Sequence, residues 1–578
     1  MRLLEALNIR KSSAPASAEP YRAYVACGFE PLHLSTFVAA HLQLLLPDRN
    51  IEISTGQYGD LLGNVRRADR PNVDLMAVVI EWPDLDPRLG VRQLGGWTPA
   101  AEEDIVAESR KRLNALESAL LSAGRRRRVA CSLPTLPVSP FAHTPSWQAS
   151  TAELELREAL YSFASRIRDN TRLVNPQELD KQSPLGCRHD LSSELTSGFP
   201  YQLSHTDCLA ALLAKLMAPP LPKKALITDL DDCVWSGIVG ESGIDGVHWD
   251  LDHQSQIHGL YQQLLHSLAN SGVLVGVASR NDPKLVERAL QRSDLLLTRE
   301  HLFPVEAHWR RKSESVQRIV QQWNIGYDSV VFVDDSPMEL AEVKAAFPDI
   351  ECMLFPAADA NAAYALLSRL RELFGKEHLL EEDLIRAQSL RQAPATPVPQ
   401  ATDPESSHTT FLGQAQAEIT FTRVTPPPDP RALELINKTN QFNLNGKRYQ
   451  DASWSRRLAD PASVHLLTAY RDKFGPLGKI AMLSGRLENS VLAVDTWVMS
   501  CRAFGRQIEH GALKHLFDHY PIAEIAFDFV PTGRNTPIQE LLQYYVDDRV
   551  AGPVVISREL FSARCPTLFH KTKESASD

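Results

Sequence analysis

The chain has 578 residues, 43% of them apolar and 23% charged, and a net charge of -10. At roughly 100–200 residues per domain, that length exceeds a single hydrophobic core and predicts about three or four domains. The acidic balance argues against a general nucleic-acid binder, which would carry a basic face, but leaves room for a local basic patch that meets an acidic small molecule or carrier protein. No run of about 18 apolar residues occurs and the N-terminal MRLLEALNIRKSSAP lacks an apolar signal core, so neither a membrane span nor a secretory leader is expected. The eight cysteines (Cys27, Cys131, Cys187, Cys208, Cys233, Cys352, Cys501 and Cys565) form no CxxC pair, which suits a reducing cytoplasm.

In chain order, residues 1–219 open with a short apolar strand signal, Tyr24 to Cys27, and an amphipathic helix from Leu34 to Leu46. Strand signals follow at Ile51–Ile53, Leu75–Ile80 and Arg128–Ser132, with a polar helix over Pro99–Ala123 between the last two. Strands alternating with helices predict an α/β layer fold. The basic run Arg125–Arg128 reads as a solvated helix end. Residues 220–375 begin after the punctuation Ala218-Pro219-Pro220-Leu221-Pro222, and their apolar runs at Ala225–Thr228, Val273–Ala278 and Val330–Val333 have β–α–β spacing. Residues 376–425 read as a helical, Pro-rich linker, with the stretch from Arg391 to His408 least suited to packing. Residues 426–578 again mix strands and helices, with a strand at Val491–Val494 and a helix over Arg506–His519.

The chemistry-bearing residues stand at the ends of the middle strands. Asp229-Leu230-Asp231-Asp232 follows the first, Ser279-Arg280-Asn281 the second and Asp334-Asp335 the third, with Lys312 between them. Strand ends in an open α/β sheet converge on one crevice. Carboxylates gathered there favour a hard divalent cation such as Mg²⁺, with Asp229, Asp231, Asp334 and Asp335 as expected ligands. One carboxylate, Asp229, can attack phosphorus, and the other, Asp231, can protonate the leaving oxygen. Ser279, Arg280 and Asn281 would hold phosphate oxygens, and Lys312 would balance charge.

This ordered set resembles the four motifs of the haloacid-dehalogenase superfamily, a Rossmann-like parallel-sheet fold. The longer strings are similar to its FkbH-like branch: Asp229 to Glu241 (DLDDCVWSGIVGE), Ser279 to Asp282 (SRND), Phe332 to Pro337 (FVDDSP), Ile436 to Leu444 (INKTNQFNL) and Asp495 to Arg502 (DTWVMSCR). The resemblance covers about Pro222 to Tyr520. Departures are Cys233 for a usual Thr, Asp232 for Asn, and Ala278 where Cys is frequent. The resemblance implies a Mg²⁺-dependent phosphatase and glyceryltransferase. Such an enzyme takes a three-carbon acyl unit from 1,3-bisphosphoglycerate, a phosphorylated small-molecule donor. It loads the unit through a cysteine thioester on the phosphopantetheine arm of an acyl carrier protein, for polyketide or related biosynthesis. Cys501 is the first candidate for the acyl-carrying thiol and Cys233 its rival.

Asn437, Lys438, Asn440, Gln441 and Asn443 are expected to bind phosphate or the acyl group, a turn network being the alternative. The C-terminal segment resembles a GNAT-type acyltransferase, whose loop after a strand cradles the pyrophosphate–pantetheine arm through backbone amides. Here that loop reads Arg502-Ala503-Phe504-Gly505-Arg506-Gln507, and Gln507 departs from the usual Gly or Ala. The first segment resembles an SGNH-hydrolase-like extension. No serine follows its first strand until Ser35, and Asp190 and His205 would be the later partners, so the domain is expected to be non-catalytic. A plain phosphatase joined to an acyltransferase of other specificity, and a carrier-binding scaffold, are the alternative readings.

Overall fold

The computed structural model describes residues 1–11, 20–68, 73–385, 412–473, 475–546 and 550–575. It divides into two compact units, residues 1–220 with 450–455, and residues 221–449 with 456–578. The Pro-rich stretch from Arg391 to His408 lies outside the described residues.

The first unit carries a five-stranded parallel sheet of order β2-β1-β3-β4-β5. Its strands are β1 (Pro20–Cys27), β2 (Asn50–Thr55), β3 (Leu75–Val79), β4 (Arg128–Ser132) and β5 (Arg172–Leu173). The side-chain alternation of a strand sends Val25, Ala77 and Val79 to a core shared with helices α1 (Leu32–Leu45) and α2 (Leu203–Met217). Ala26, Met76 and Val78 face the other core, against Leu113, Leu116, Leu156 and Phe163. Both faces are covered, which is why β3 reads as unbroken apolar sequence. The basic run departs from its expected solvated end: Arg127 is buried, its guanidinium donating to the carbonyl of Ala68, and Arg128 opens β4.

The second unit begins with another five-stranded parallel sheet, β10-β9-β6-β7-β8. These strands are β6 (Ala225–Thr228), β7 (Leu274–Ser279), β8 (Val305–Ala307), β9 (Val330–Asp334) and β10 (Glu351–Leu354). Helix α3 (Lys312–Trp323) buries Val316, Ile319, Val320 and Trp323 on one face of the sheet. Tyr261, Leu265, Leu366 and Leu370 cover the other face. The three expected strands therefore occur within a residue of their expected bounds.

The same unit holds a mixed sheet of order β17-β16-β15-β14-β13-β11-β18, with β12 beside β15. Its strands are β11 (Glu418–Arg423), β12 (Phe442–Asn443), β13 (Ser463–Asp472), β14 (Gly475–Glu488), β15 (Val491–Met499), β16 (Glu524–Phe527), β17 (Val554–Ser557) and β18 (Lys571–Ser575). Helix α4 (Ile508–His519) buries Ala512, Leu513, Leu516 and Phe517 against it. β11 lies inside the stretch expected as linker. Ile419 and Phe421 are core residues, so the C-terminal sheet starts before the boundary expected at 426.

Candidate functional site

Register assembles the middle site. Thr228 pairs with Val333 on one side and Val277 on the other, so the residues that follow, Asp229, Asp334 and Ser279, leave adjacent strands at nearly one level. The Asp229 amide still donates to the Val333 carbonyl at 3.0 Å. The chain then turns at Asp232, whose φ of +50° lies in the left-handed region that Asn and Asp tolerate better than most residues. Its Oδ1 accepts from the Gly237 amide at 2.8 Å, so Asp in place of Asn keeps the turn.

Lys312, at the first position of α3, is buried and bridges two carboxylates. Its Nζ lies 2.6 Å from Asp229 Oδ2 and 2.6 Å from Asp334 Oδ2. Burial alone would push the ammonium down, but the two carboxylates raise it on balance. Asp334 and Asp335 are both raised, first by burial and then by neighbouring negative charge including Asp229. Asp229, Asp334 and Asp335 offer oxygens within 4.8 Å of one another, and Asp229 Oδ1 is buried with no hydrogen-bond partner. A hard cation with oxygen ligands fits that trio and that orphaned oxygen.

The fourth expected ligand does not join them. Asp231 Oδ1 accepts from Trp235 Nε1 at 2.8 Å and from the Val239 amide at 3.2 Å, and Oδ2 accepts from Asn281 Nδ2 at 2.8 Å. Three donors hold the carboxyl apart from the trio, and burial raises its pKa. The three donors favour the charged form, but burial outweighs them, and a carboxyl so raised suits a proton donor. Asn281 also donates to Ser279 Oγ at 3.2 Å, so the second strand end orients the acid. Arg280 is partly exposed and pairs with Glu339 at 2.9 Å. Cys233 is fully buried, and burial followed by the charges of Asp229 and Asp334 holds its thiol well above the usual range. A thiol held toward its protonated form is a weak nucleophile.

Cys501 stands elsewhere. It lines a cavity of about 370 Å³ with Lys438, Asn440, Gln441, Lys224, Asn324 and Arg534. Lys224 precedes β6 and Asn324 precedes β9, so this cavity opens at the amino ends of the strands whose carboxyl ends carry the acidic site. The Cys501 thiol donates to the Asn324 carbonyl at 2.8 Å. The amide-rich string divides. Asn437 exchanges hydrogen bonds with the Tyr449 backbone at 2.7 and 2.9 Å, and Asn443 bonds the Thr439 carbonyl and the amides of Asn445 and Gly446. Those two build turns, while Lys438, Asn440 and Gln441 face the cavity. Lys224, Asn324 and Arg534, which also line it, are surrounded by no motif and are not legible in the sequence.

The same string closes a slot. β15 pairs with β16 in parallel only as far as Val494 and Phe527. Beyond that point β12 pairs with Val498 and Met499, and the Leu444 amide donates to the Trp497 carbonyl at 3.0 Å. That edge of β15 is already hydrogen-bonded and cannot receive an extended arm. At the following loop Gln507 adopts φ +55°, and in the first turn of α4 burial raises Glu509 to about 7, with Oε2 lacking a partner. A carboxyl there opposes the phosphate that a GNAT loop would cradle.

In the first unit a cavity of about 490 Å³ opens at the carboxyl ends of β1 and β3, where the strand order reverses. No serine, threonine, cysteine or histidine is among its described lining residues. Gly28 follows β1 where a hydrolase nucleophile would stand, and an added Cβ would meet Asp84 Oδ1 at 1.7 Å. Asp190 caps a helix by accepting from the Ser193 amide at 2.9 Å, and His205 is buried between Thr135 and Ser183, each 3.0 Å away. These residues form no triad.

No family model and no curated protein matches the chain. Among solved structures, it is similar to the N-terminal part of the protein BF1531 from Bacteroides fragilis, which contains a phosphatase domain and was crystallised with Mg. The TM-score is 0.51 at 17% identity, over 65% of this chain and 99% of that one. That likeness shows the fold: an α/β chain arranged like one that includes a phosphatase domain. An uncharacterized protein from Corynebacterium glutamicum (TM-score 0.19, 17% identity, 27% of this chain and 98% of that one) and a Streptomyces rimosus lipase (0.25, 14%, 34% and 100%) match too slightly to argue from. Among the described residues no helix is long and apolar enough to cross a membrane.

Proposed function

We propose that the chain is a Mg²⁺-dependent phosphoryl-transfer enzyme of the FkbH-like kind, which dephosphorylates a phosphorylated three-carbon acyl donor and passes the acyl unit to a carrier-borne thiol. The observation that carries the phosphatase half is Lys312 clamped 2.6 Å from both Asp229 and Asp334 while Asp231 is held apart on three donors. Asp229, Asp334 and Asp335 would hold the Mg²⁺, which when bound would neutralise charge on the phosphoryl oxygens. Asp229 attacks phosphorus, the bond to the leaving oxygen breaks, and Asp231 gives that oxygen its proton. Asp231 then takes a proton from water as the water attacks the aspartyl phosphate, freeing Asp229 and inorganic phosphate. Lys312, 2.6 Å from both Asp229 and Asp334, offsets the charge brought by the substrate.

The acyl half rests on family resemblance and on the cavity that joins Cys501 to Lys438, Asn440 and Gln441. The run from Lys224 to Asp229, at about 3.3 Å per residue, separates the two sites by roughly 16 Å. Thiol attack on an acyl phosphate and hydrolysis of a remaining phosphomonoester would then be separate visits to separate sites. This separation also favours the second reading, a phosphatase joined to a transferase of other specificity. The closed slot beside β15 argues against acyl-coenzyme A bound in the usual GNAT manner and leaves the Cys501 cavity for a pantetheine thiol.

The test combines phosphate release with intact mass of a carrier protein incubated with 1,3-bisphosphoglycerate. Asp229→Asn should abolish Mg²⁺-dependent phosphate release. Cys501→Ser should leave phosphomonoester hydrolysis intact and remove the carrier's mass gain. Phosphate release with no gain in the wild type supports the second reading, and full activity of Asp229→Asn refutes the nucleophile assignment.

A further inference from the structure

Helix α4 carries histidines four residues apart, His515 and His519, a spacing that stacks two side chains on one helix face. Their rings lie 4.3 Å apart at 24°. The third member comes from the end of the sheet. β18 pairs in parallel with β11, with Glu574 opposite Phe421, so both side chains rise from the same face. His515 stacks on the Phe421 ring at 4.2 Å, and this brings Glu574 beneath the histidine pair. Glu574 Oε1 lies 3.6 Å from His515 Nε2 and 3.6 Å from His519 Nε2.

Those distances are long for hydrogen bonds but short for unrelated groups. Zinc bonds of about 2.0–2.1 Å meeting at a tetrahedral angle hold their ligand atoms about 3.3–3.4 Å apart, close to what is seen. His519 Nδ1 lies 3.0 Å from the His515 carbonyl, and a carbonyl only accepts, so Nδ1 carries a proton and Nε2 is the nitrogen that faces Glu574. A backbone carbonyl holding the distal N–H is the support that metal-ligating histidines use. His515 is buried, whereas His519 and Glu574 are about half exposed, which leaves an open side for a water ligand.

We infer that His515, His519 and Glu574 form a binding site for Zn²⁺ or a similar borderline divalent ion, unrelated to the Mg²⁺ trio. Two imidazoles and one carboxylate select such an ion over Mg²⁺. The ion pins β18, an edge strand exposed along its whole length, to α4. In a further cluster, His248, Asp250 and His253, the rings stack face to face at 3.5 Å and Asp250 is already hydrogen-bonded to His253 Nδ1 at 2.8 Å.

The experiment titrates the full chain with Zn²⁺ in excess Mg²⁺, comparing wild type with His519→Ala and Glu574→Gln. Both altered side chains are exposed enough for folding to be retained, which metal-free thermal unfolding checks. Wild type should take up one more equivalent than either variant, with affinity lost by about tenfold or more on removing a ligand. Zinc should also slow amide exchange of residues 571–575 in the wild type alone. Equal uptake by all three proteins, or no uptake by the wild type at micromolar zinc, would overturn the assignment.

Discussion

Replacing Asp231 with Asn separates the proton donor from the rest of the acidic site. The amide oxygen can still accept from Trp235 Nε1 and the Val239 amide, as Oδ1 does at 2.8 and 3.2 Å. On the other side an NH₂ would meet Asn281 Nδ2, which now donates to Oδ2 at 2.8 Å, unless the Asn281 amide flips and gives up its 3.2 Å bond to Ser279. One mismatched half-buried bond costs about 1 kcal/mol, so the fold survives. The effect on rate depends on the leaving group. An alkyl phosphate must expel a strongly basic alkoxide, and loss of the general acid should slow it by about 10²–10⁴-fold, or about 3–5 kcal/mol of barrier. An acyl phosphate expels a carboxylate, whose conjugate acid has a pKa of about 4, and should slow by less than about tenfold. Steady-state phosphate release at saturating Mg²⁺ on one substrate of each kind measures the contrast. Equal slowing of both would refute the general-acid assignment, and an unaffected alkyl phosphate would remove Asp231 from the chemistry.

Lys312→Met should lower phosphate release by about 10²–10³-fold and destabilise the metal-free protein by about 3–5 kcal/mol in urea unfolding, since two buried carboxylates lose their counter-ion; unchanged unfolding would contradict the clamp. Gly28→Ser should give no esterase activity toward an activated ester and should lower thermal stability, because the new Cβ invades the Asp84 carboxyl at 1.7 Å. Any burst of ester hydrolysis would revive a catalytic first unit. His205 is pushed down from 6.5 to about 3, chiefly by burial. Below pH 6.5 the unfolded chain therefore binds a proton that the folded chain refuses, and stability falls as pH falls. His205→Gln should remove that part of the slope, up to roughly 3 kcal/mol between pH 6.5 and 4. Parallel stability curves for the two proteins would show that the ring titrates freely.

Much of the acidic site was legible because its signals are local. A run of apolar residues that ends in Asp229, Ser279 or Asp334 states both the strand and the group at its tip, and parallel pairing does the rest. Asp231 was not legible as an acid set apart from the ligands, since its state depends on Trp235 and on Asn281, fifty residues away in chain order. The amide-rich string shows the same limit. Five polar residues within seven positions look alike as letters, but Tyr449 and Thr439 claim Asn437 and Asn443, leaving Lys438, Asn440 and Gln441 for the cavity. β11 does not stand out from the linker in the sequence because its pairing partners, β13 and β18, lie far along the chain.

From its sequence alone this chain declares an α/β architecture, three strand tips bearing carboxylates and a hydroxyl, a lysine between the second and third of them, and a first segment without a nucleophile after its opening strand. Those properties follow from side-chain periodicity and from what each residue type can do. Only the tertiary structure decides that Cys501 opens at the amino ends of the strands whose carboxyl ends hold Asp229, that Phe442–Leu444 fills the edge of β15, and that Glu574 comes under two histidines. Each of these depends on which distant backbone segments hydrogen-bond to one another and in what register, and a one-residue slip in that pairing would turn the same side chains to the opposite face.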